Sequence, residues 1–146
     1  MLKLSIYERG FEHFVEAQKP VYESVCVELT VGRKASHWMW FIFPQLKALG
    51  RSVTAKHFGL EGRDEAAAYW RHPLLGSRLK HCAELVLAVQ GKTAHDIFGS
   101  PDDMKLKSCM TLFEAVSPDE TVFGRVLNEL FEGRRDEATC TLLGLR

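Results

Sequence analysis

The sequence predicts an all-α fold, a compact single-domain bundle of about seven or eight helices. Three observations carry that prediction. Apolar residues recur at helical spacing along most of the chain, Pro and Gly punctuate it at short, even intervals, and no stretch alternates with the period of two that a half-buried strand requires. With 146 residues, 46% of them hydrophobic, and no Pro/Gly-rich linker, residues 1–146 read as one domain. A chain of this size buries about 70% of its unfolded surface, enough for a core without staples or metal.

Phe11, Phe14, Val15 and Gln18 mark the first helix. A second covers residues 20–31, where Val21, Tyr22, Val25, Cys26 and Leu29 share a face, Pro20 suits the first turn and Gly32 the position just past the end. Trp38-Met39-Trp40-Phe41-Ile42-Phe43 is too short for periodicity to separate helix from strand. A lone strand would leave its backbone groups unpaired, so a short buried helical segment ending before Pro44 is expected. Short helices follow at 64–71, 93–98 and 136–143. The longest helix starts after Pro73 and is closed by Gly91, with Leu75, Leu79, Cys82, Ala83, Val86 and Val89 inward and Ser77, Arg78, Lys80, His81 and Glu84 outward. Two more begin at Ser100-Pro101-Asp102-Asp103 and Ser117-Pro118-Asp119-Glu120. There the serine is expected to cap, proline sets the first-turn dihedral, and the acids meet the positive end of the macrodipole. Leu106, Cys109, Met110 and Phe113 form the core face of the first of these, and Val122, Phe123, Val126, Leu127, Leu130 and Phe131 that of the second.

Nineteen basic and nineteen acidic side chains cancel to a formal net charge of zero, which argues against a duplex-DNA binder, whose affinity comes from neutralising rows of phosphates. Cys26, Cys82, Cys109 and Cys140 form no CxxC pair, and no His stands at zinc-ligand spacing, so reduced and mostly buried thiols are expected, with no metal and no cofactor. No signal-peptide core and no membrane-length apolar run is present, which points to a cytoplasmic protein without membrane contact.

Three clusters carry candidate chemistry. Around the aromatic run, Arg33, Lys34 and Arg51 place cations beside Trp38 and Trp40, the combination that holds phosphate oxygens while an aromatic face stacks on a base. The plainer reading is that Trp38, Trp40 and Phe43 are core and the cations solvated. His37 stands where polar loop meets core and Gln45 follows the run; an imidazole there either orients a ligand or donates to a backbone carbonyl. In the second cluster capping explains Ser100 and the acids, and Asp103 and Lys107 have the spacing of a helix ion pair. That leaves Lys105 and Ser108, one turn apart, facing a cleft. The third is Glu12-His13-Phe14-Val15-Glu16, where a carboxylate beside aromatic rings acquires a raised pKa and acts as acid or base, or else belongs to a solvated face. No Gly-rich phosphate loop, HExxH or GxSxG occurs.

Four segments resemble one bacterial family, domain-of-unknown-function family 1810, over about 11–143. They are Gly32-Arg33-Lys34-x-Ser36-His37-Trp38-Met39-Trp40-Phe41-Ile42-Phe43-Pro44-Gln45-Leu46, Leu49-Gly50-Arg51-Ser52, His72-Pro73-Leu74-Leu75-Gly76 and Ile97-Phe98-Gly99-Ser100-Pro101-Asp102-Asp103-x-Lys105-Leu106. The resemblance implies a compact helical domain and no assigned activity. Some members carry the label calpastatin, but that kind of calpain inhibitor is a disordered polar repeat, unlike this composition. A fainter likeness is to the NAD- and ADP-ribose-associated (NADAR) superfamily, whose Glu-His-aromatic-x-x-Ala-Gln-Lys pattern reads here as Glu12-His13-Phe14-x-x-Ala17-Gln18-Lys19, although its Gly-rich stretch before the penultimate helix is missing. That likeness implies N-glycosidic bond hydrolysis with Glu12 as catalytic carboxylate.

The expectation is therefore a cleft lined by Arg33, Lys34, Trp38, Trp40, Gln45, Arg51, Lys105 and Ser108 that binds a small anionic, nucleotide-like ligand such as ADP-ribose or NAD. Glu12 and His37 are the candidate catalytic pair of an N-glycosidase-type hydrolase. The alternative is a non-catalytic helical module for protein interaction or homo-oligomerisation.

Overall fold

The longer helices form where apolar residues recur at helical spacing, and Ser52, Thr93 and Asp136 each cap the helix that follows with a side chain. The computed structural model describes residues 10–145. Ten helices are present among them: α1 (Glu12–Gln18), α2 (Tyr22–Val31), α3 (Met39–Ile42), α4 (Val53–His57), α5 (Arg63–Arg71), α6 (Leu75–Ala88), α7 (Ala94–Phe98), α8 (Asp102–Val116), α9 (Val122–Leu130) and α10 (Glu137–Leu142), with a 3-10 turn at Lys47–Leu49. The described residues contain no strand, only an isolated bridge between Leu46 and Leu60. The all-α expectation stands, and the count rises from seven or eight to ten. The helix without an expected counterpart is α4, five residues capped by the Ser52 hydroxyl accepting from Ala55 N and too short to leave a periodic signal.

Two long helices organise the single hydrophobic core. Helix α8 is buried along seven of its fifteen residues, including Leu106, Cys109, Met110, Leu112 and Phe113, and α5, α7, α9 and α10 pack around it. Helix α6 buries Leu75, Leu79, Cys82, Ala83 and Val86 against α2, α3, α5 and α9. The aromatic run packs α3 against α1 and α6. Trp38, Met39, Ile42 and Phe43 are buried and Trp40 and Phe41 partly so, with Phe98 edge-on to both Trp38 and Phe43.

The His72-Pro73-Leu74-Leu75-Gly76 segment makes the tight corner between α5 and α6. The His72 ring nitrogen Nδ1 accepts from the backbone N–H groups of Leu74 and Leu75, and a Cβ at Gly76 would stand 2.0 Å from the Trp70 carbonyl oxygen, so only glycine fits that crossing. Gly32 ends α2 in the left-handed conformation (φ 83°), as its position just past the helix required.

Several local expectations are corrected. Neither Ser-Pro signature caps a helix. Ser100 leaves α8 without a side-chain cap, and the Ser117 hydroxyl donates back to the Phe113 carbonyl, ending α8 rather than starting α9. Helix α9 instead starts at Val122, where the Glu120 carboxylate accepts from Thr121 N and Val122 N while pairing with Lys80 of α6 at 3.0 Å. Arg78, assigned to the solvent face, turns inward over the Tyr22 ring and donates to Gln18 Oε1. No Asp103–Lys107 pair forms; Asp103 lies 3.5 Å from His95 Nδ1. No helix of the described residues is long and apolar enough to cross a membrane.

Candidate functional site

The loop between α2 and α3 is ordered by one carboxylate. Glu28, in the last turn of α2, stands where the macrodipole disfavours an anion. It is compensated by four donors: Ala35 N at 2.7 Å, Ser36 N at 3.1 Å, Ser36 Oγ at 2.6 Å and Trp38 Nε1 at 2.9 Å. Burial alone would push its carboxyl up. The hydrogen bonds from Ser36 Oγ, Ala35 N, Trp38 Nε1 and Ser36 N outweigh that and hold it down at about 2. The sequence reading missed Glu28, although a glutamate in the last turn before a helix-ending glycine is an electrostatic oddity that signals a partner. Two further ties fix the loop to the next layer: Lys34 N donates to the Ile97 carbonyl, and Lys92 Nζ to the Gly32 carbonyl.

So held, the loop delivers Lys34 to the start of α8. Its ammonium pairs with Asp102 at 3.0 Å, donates to the Ser36 carbonyl at 2.7 Å and lies 5.0 Å from the Trp38 ring centroid. From α8 itself, Lys105 reaches the other Asp102 oxygen at 3.4 Å and lies 4.8 Å from the Trp40 ring centroid. Four expected residues, Lys34, Trp38, Trp40 and Lys105, thus meet around a fifth, Asp102, which the sequence reading had assigned to helix capping. The side chains of Lys34, Lys105 and Asp102 are 8%, 24% and 20% exposed, so the group is half sheltered from water.

The remaining expected residues lie apart from this group. Arg33 and His37 are exposed on the same loop, and Arg51 is exposed beyond the 3-10 turn, all without a side-chain partner among the described residues. Gln45 is half-buried, its main-chain carbonyl accepting from Leu60 N. Ser108 is buried with its hydroxyl turned onto the Met104 carbonyl of its own helix. Glu12 is exposed on the first turn of α1. None of the ten expected residues lines the five best-formed surface clefts, which lie beside α1, α5, α8 and α10.

On α1 it is His13, one residue on from Glu12, that lines a cleft, with His57, Lys47 and Lys56 around a volume of about 160 Å³. Its ring stacks on Phe58 and stands 4.9 Å from that of His57. Burial, and then the His57 charge, push its pKa below the usual imidazole value. The buried thiols are not poised as nucleophiles: burial raises Cys109 well above the usual thiol range and Cys82 to about 12. Among the described residues no group of three His, Cys, Asp or Glu side chains is arranged to hold a metal ion.

A family model described as "Protein of unknown function (DUF1810)" matches residues 8–143. The chain belongs to this family. A solved structure similar to this DUF1810 chain is the crystal structure of the conserved hypothetical protein Rv1873 from Mycobacterium tuberculosis, 47% identical, with a TM-score of 0.91 over 93% of this chain and 97% of that one. No curated protein matches the chain. The fainter NADAR likeness is not shown by these matches.

Proposed function

We propose that this DUF1810 protein binds a small anionic ligand carrying a planar ring, of the ADP-ribose or NAD type, against Trp40 and Lys105. The observation that carries the reading is the Lys105–Trp40 pair, an ammonium over a half-exposed indole that shares one carboxylate with a second lysine. Asp102 sets one negative charge against two positive ones, so an incoming phosphate finds a surplus cation already half desolvated by aromatic surface. Lys105, the more exposed of the two, swings to the phosphate and uncovers the indole for stacking, while the more sheltered Lys34 stays on Asp102. Arg33, exposed on the adjoining loop, adds a second cation to the rim.

The reading ends at binding. Glu12 lies outside these five clefts and no hydrogen bond or ion pair ties its side chain to Lys105 or Trp40, so glycosidic cleavage by Glu12 rests on the sequence likeness alone. The interaction-module alternative draws support from Val27 and Val31, two exposed valines one turn apart on α2. Thermal-shift measurement with ADP-ribose, NAD, AMP and inorganic phosphate tests the proposal. A ligand at about one hundred times its Kd stabilises the folded state by about 2.7 kcal/mol. The expected result is a rise in melting temperature with ADP-ribose or AMP that Lys105→Ala removes. No rise with any of the four at millimolar concentration overturns it.

A further inference from the structure

Helix α10 and the residues leading into it stand off from the first half of α8, leaving the largest of the five clefts, about 740 Å³, in the size range of small-molecule sites. Two of its walls are apolar and wet: Met104 on α8 and Leu145 after α10 are 48% and 49% exposed, unusual for side chains of that size. Its charges divide into used and unused. Arg135 is clamped by both oxygens of Glu114, by Asn128 Oδ1 and by the Gly133 carbonyl. Asp136 caps α10 by accepting from Thr139 N and Thr139 Oγ1, and Glu137 is also engaged. Lys107 and Arg134 line the same cleft, and neither has an anionic partner among the described residues. The ion pair that Lys107 was spaced to make is lost because Asp103 turns to His95.

We propose that this cleft is a second binding site, for an amphipathic monoanion: a carboxylate or sulfonate head between Lys107 and Arg134, and a short alkyl tail on Met104 and Leu145. Two unpaired cations select the anion, and two uncovered apolar side chains select the tail. A short inorganic anion satisfies only the first requirement and a neutral alcohol only the second. The site lies on the 104/107 side of α8, and Lys105 is not among its walls.

The test is an NMR titration of the full chain with monomeric octanoate, against 1-octanol and acetate, following the Met104 and Leu145 methyl groups. Octanoate is expected to shift both saturably, with octanol and acetate at least about tenfold weaker, and Lys107→Glu/Arg134→Glu is expected to weaken octanoate by about tenfold or more. Lys105→Ala is expected to leave octanoate binding unchanged, separating this site from the one at Trp40. Absence of a saturable shift, equal binding of octanol, or an unaffected double variant overturns the proposal. So does binding only to phosphatidylglycerol vesicles and not to monomeric octanoate, which would make the partner a lipid surface.

Discussion

Glu28→Gln removes the charge that orders the α2–α3 loop while keeping the side chain's shape. The carboxyl falls from 4.5 to about 2 on folding, which is worth about 3 kcal/mol if fully retained. The carboxylate is only partly withdrawn from water, so screening trims this to about 1–2 kcal/mol, or about 3–6 °C in Tm for a chain of this size. The sign follows from linkage. Because the folded pKa lies below the unfolded one, the stabilisation is complete above about 4.5 and is lost as pH falls toward about 2. Urea denaturation of both proteins across that range gives the measurement. The wild-type advantage is expected at neutral pH and should shrink toward zero in acid. A variant as stable as wild type at pH 7, or a deficit that stays constant down to pH 2, would refute the assignment of Glu28 as the organising acceptor.

Gly76→Ala is expected to cost about 2 kcal/mol or more in chemical denaturation, because the new methyl meets the Trp70 backbone rather than a side chain that can move. Gln18→Ala should cost about 1–3 kcal/mol in the same assay. Gln18 Nε2 donates to the Phe41 carbonyl at 2.8 Å and to Tyr69 Oη at 3.3 Å, and its oxygen accepts from Arg78, so truncation strands buried polar groups of three elements. Burial, and then the neighbouring His57, push the folded pKa of His13 below 6.5. Folding therefore loses stability as pH drops through the 6.5 at which the unfolded side chain protonates, and His13→Gln should flatten the stability–pH curve there.

The elements legible in the sequence were those whose signal is local. Helices α2, α6 and α9 showed their apolar faces, and Gly32 marked a helix end that the structure places one residue past Val31. The segment at residues 38–43 was read by elimination, and α3 forms inside it. What stayed hidden depends on residues distant in sequence. Ser117 has every local property of an N-cap, yet the Phe113 carbonyl four residues back takes its hydroxyl, and Glu120 does the capping. Asp102 looked fully explained by the macrodipole until Lys34, sixty-eight residues earlier, arrived beside it. Expectation and geometry overlap in the candidate site at Lys34, Trp38, Trp40 and Lys105. They part at Glu12, His37, Gln45, Arg51 and Ser108, which the fold does not bring to one cleft, because no spacing rule encodes which side chains converge. The cleft between α8 and α10 was likewise invisible, since its walls come from Met104 and Lys107 on one side and residues 134–145 on the other, far apart in sequence.

Anion binding on the Lys105–Trp40 pair has its most direct test in the three tryptophan indole N–H resonances, followed by NMR during titration with ADP-ribose. The Trp40 signal is expected to move saturably in wild type and to stay still in Lys105→Ala, while Trp38, whose indole N–H is held by Glu28, and Trp70, packed on Phe123, keep their positions. A Trp40 resonance that does not move at millimolar ADP-ribose, or that moves equally in the Lys105→Ala protein, would contradict the site.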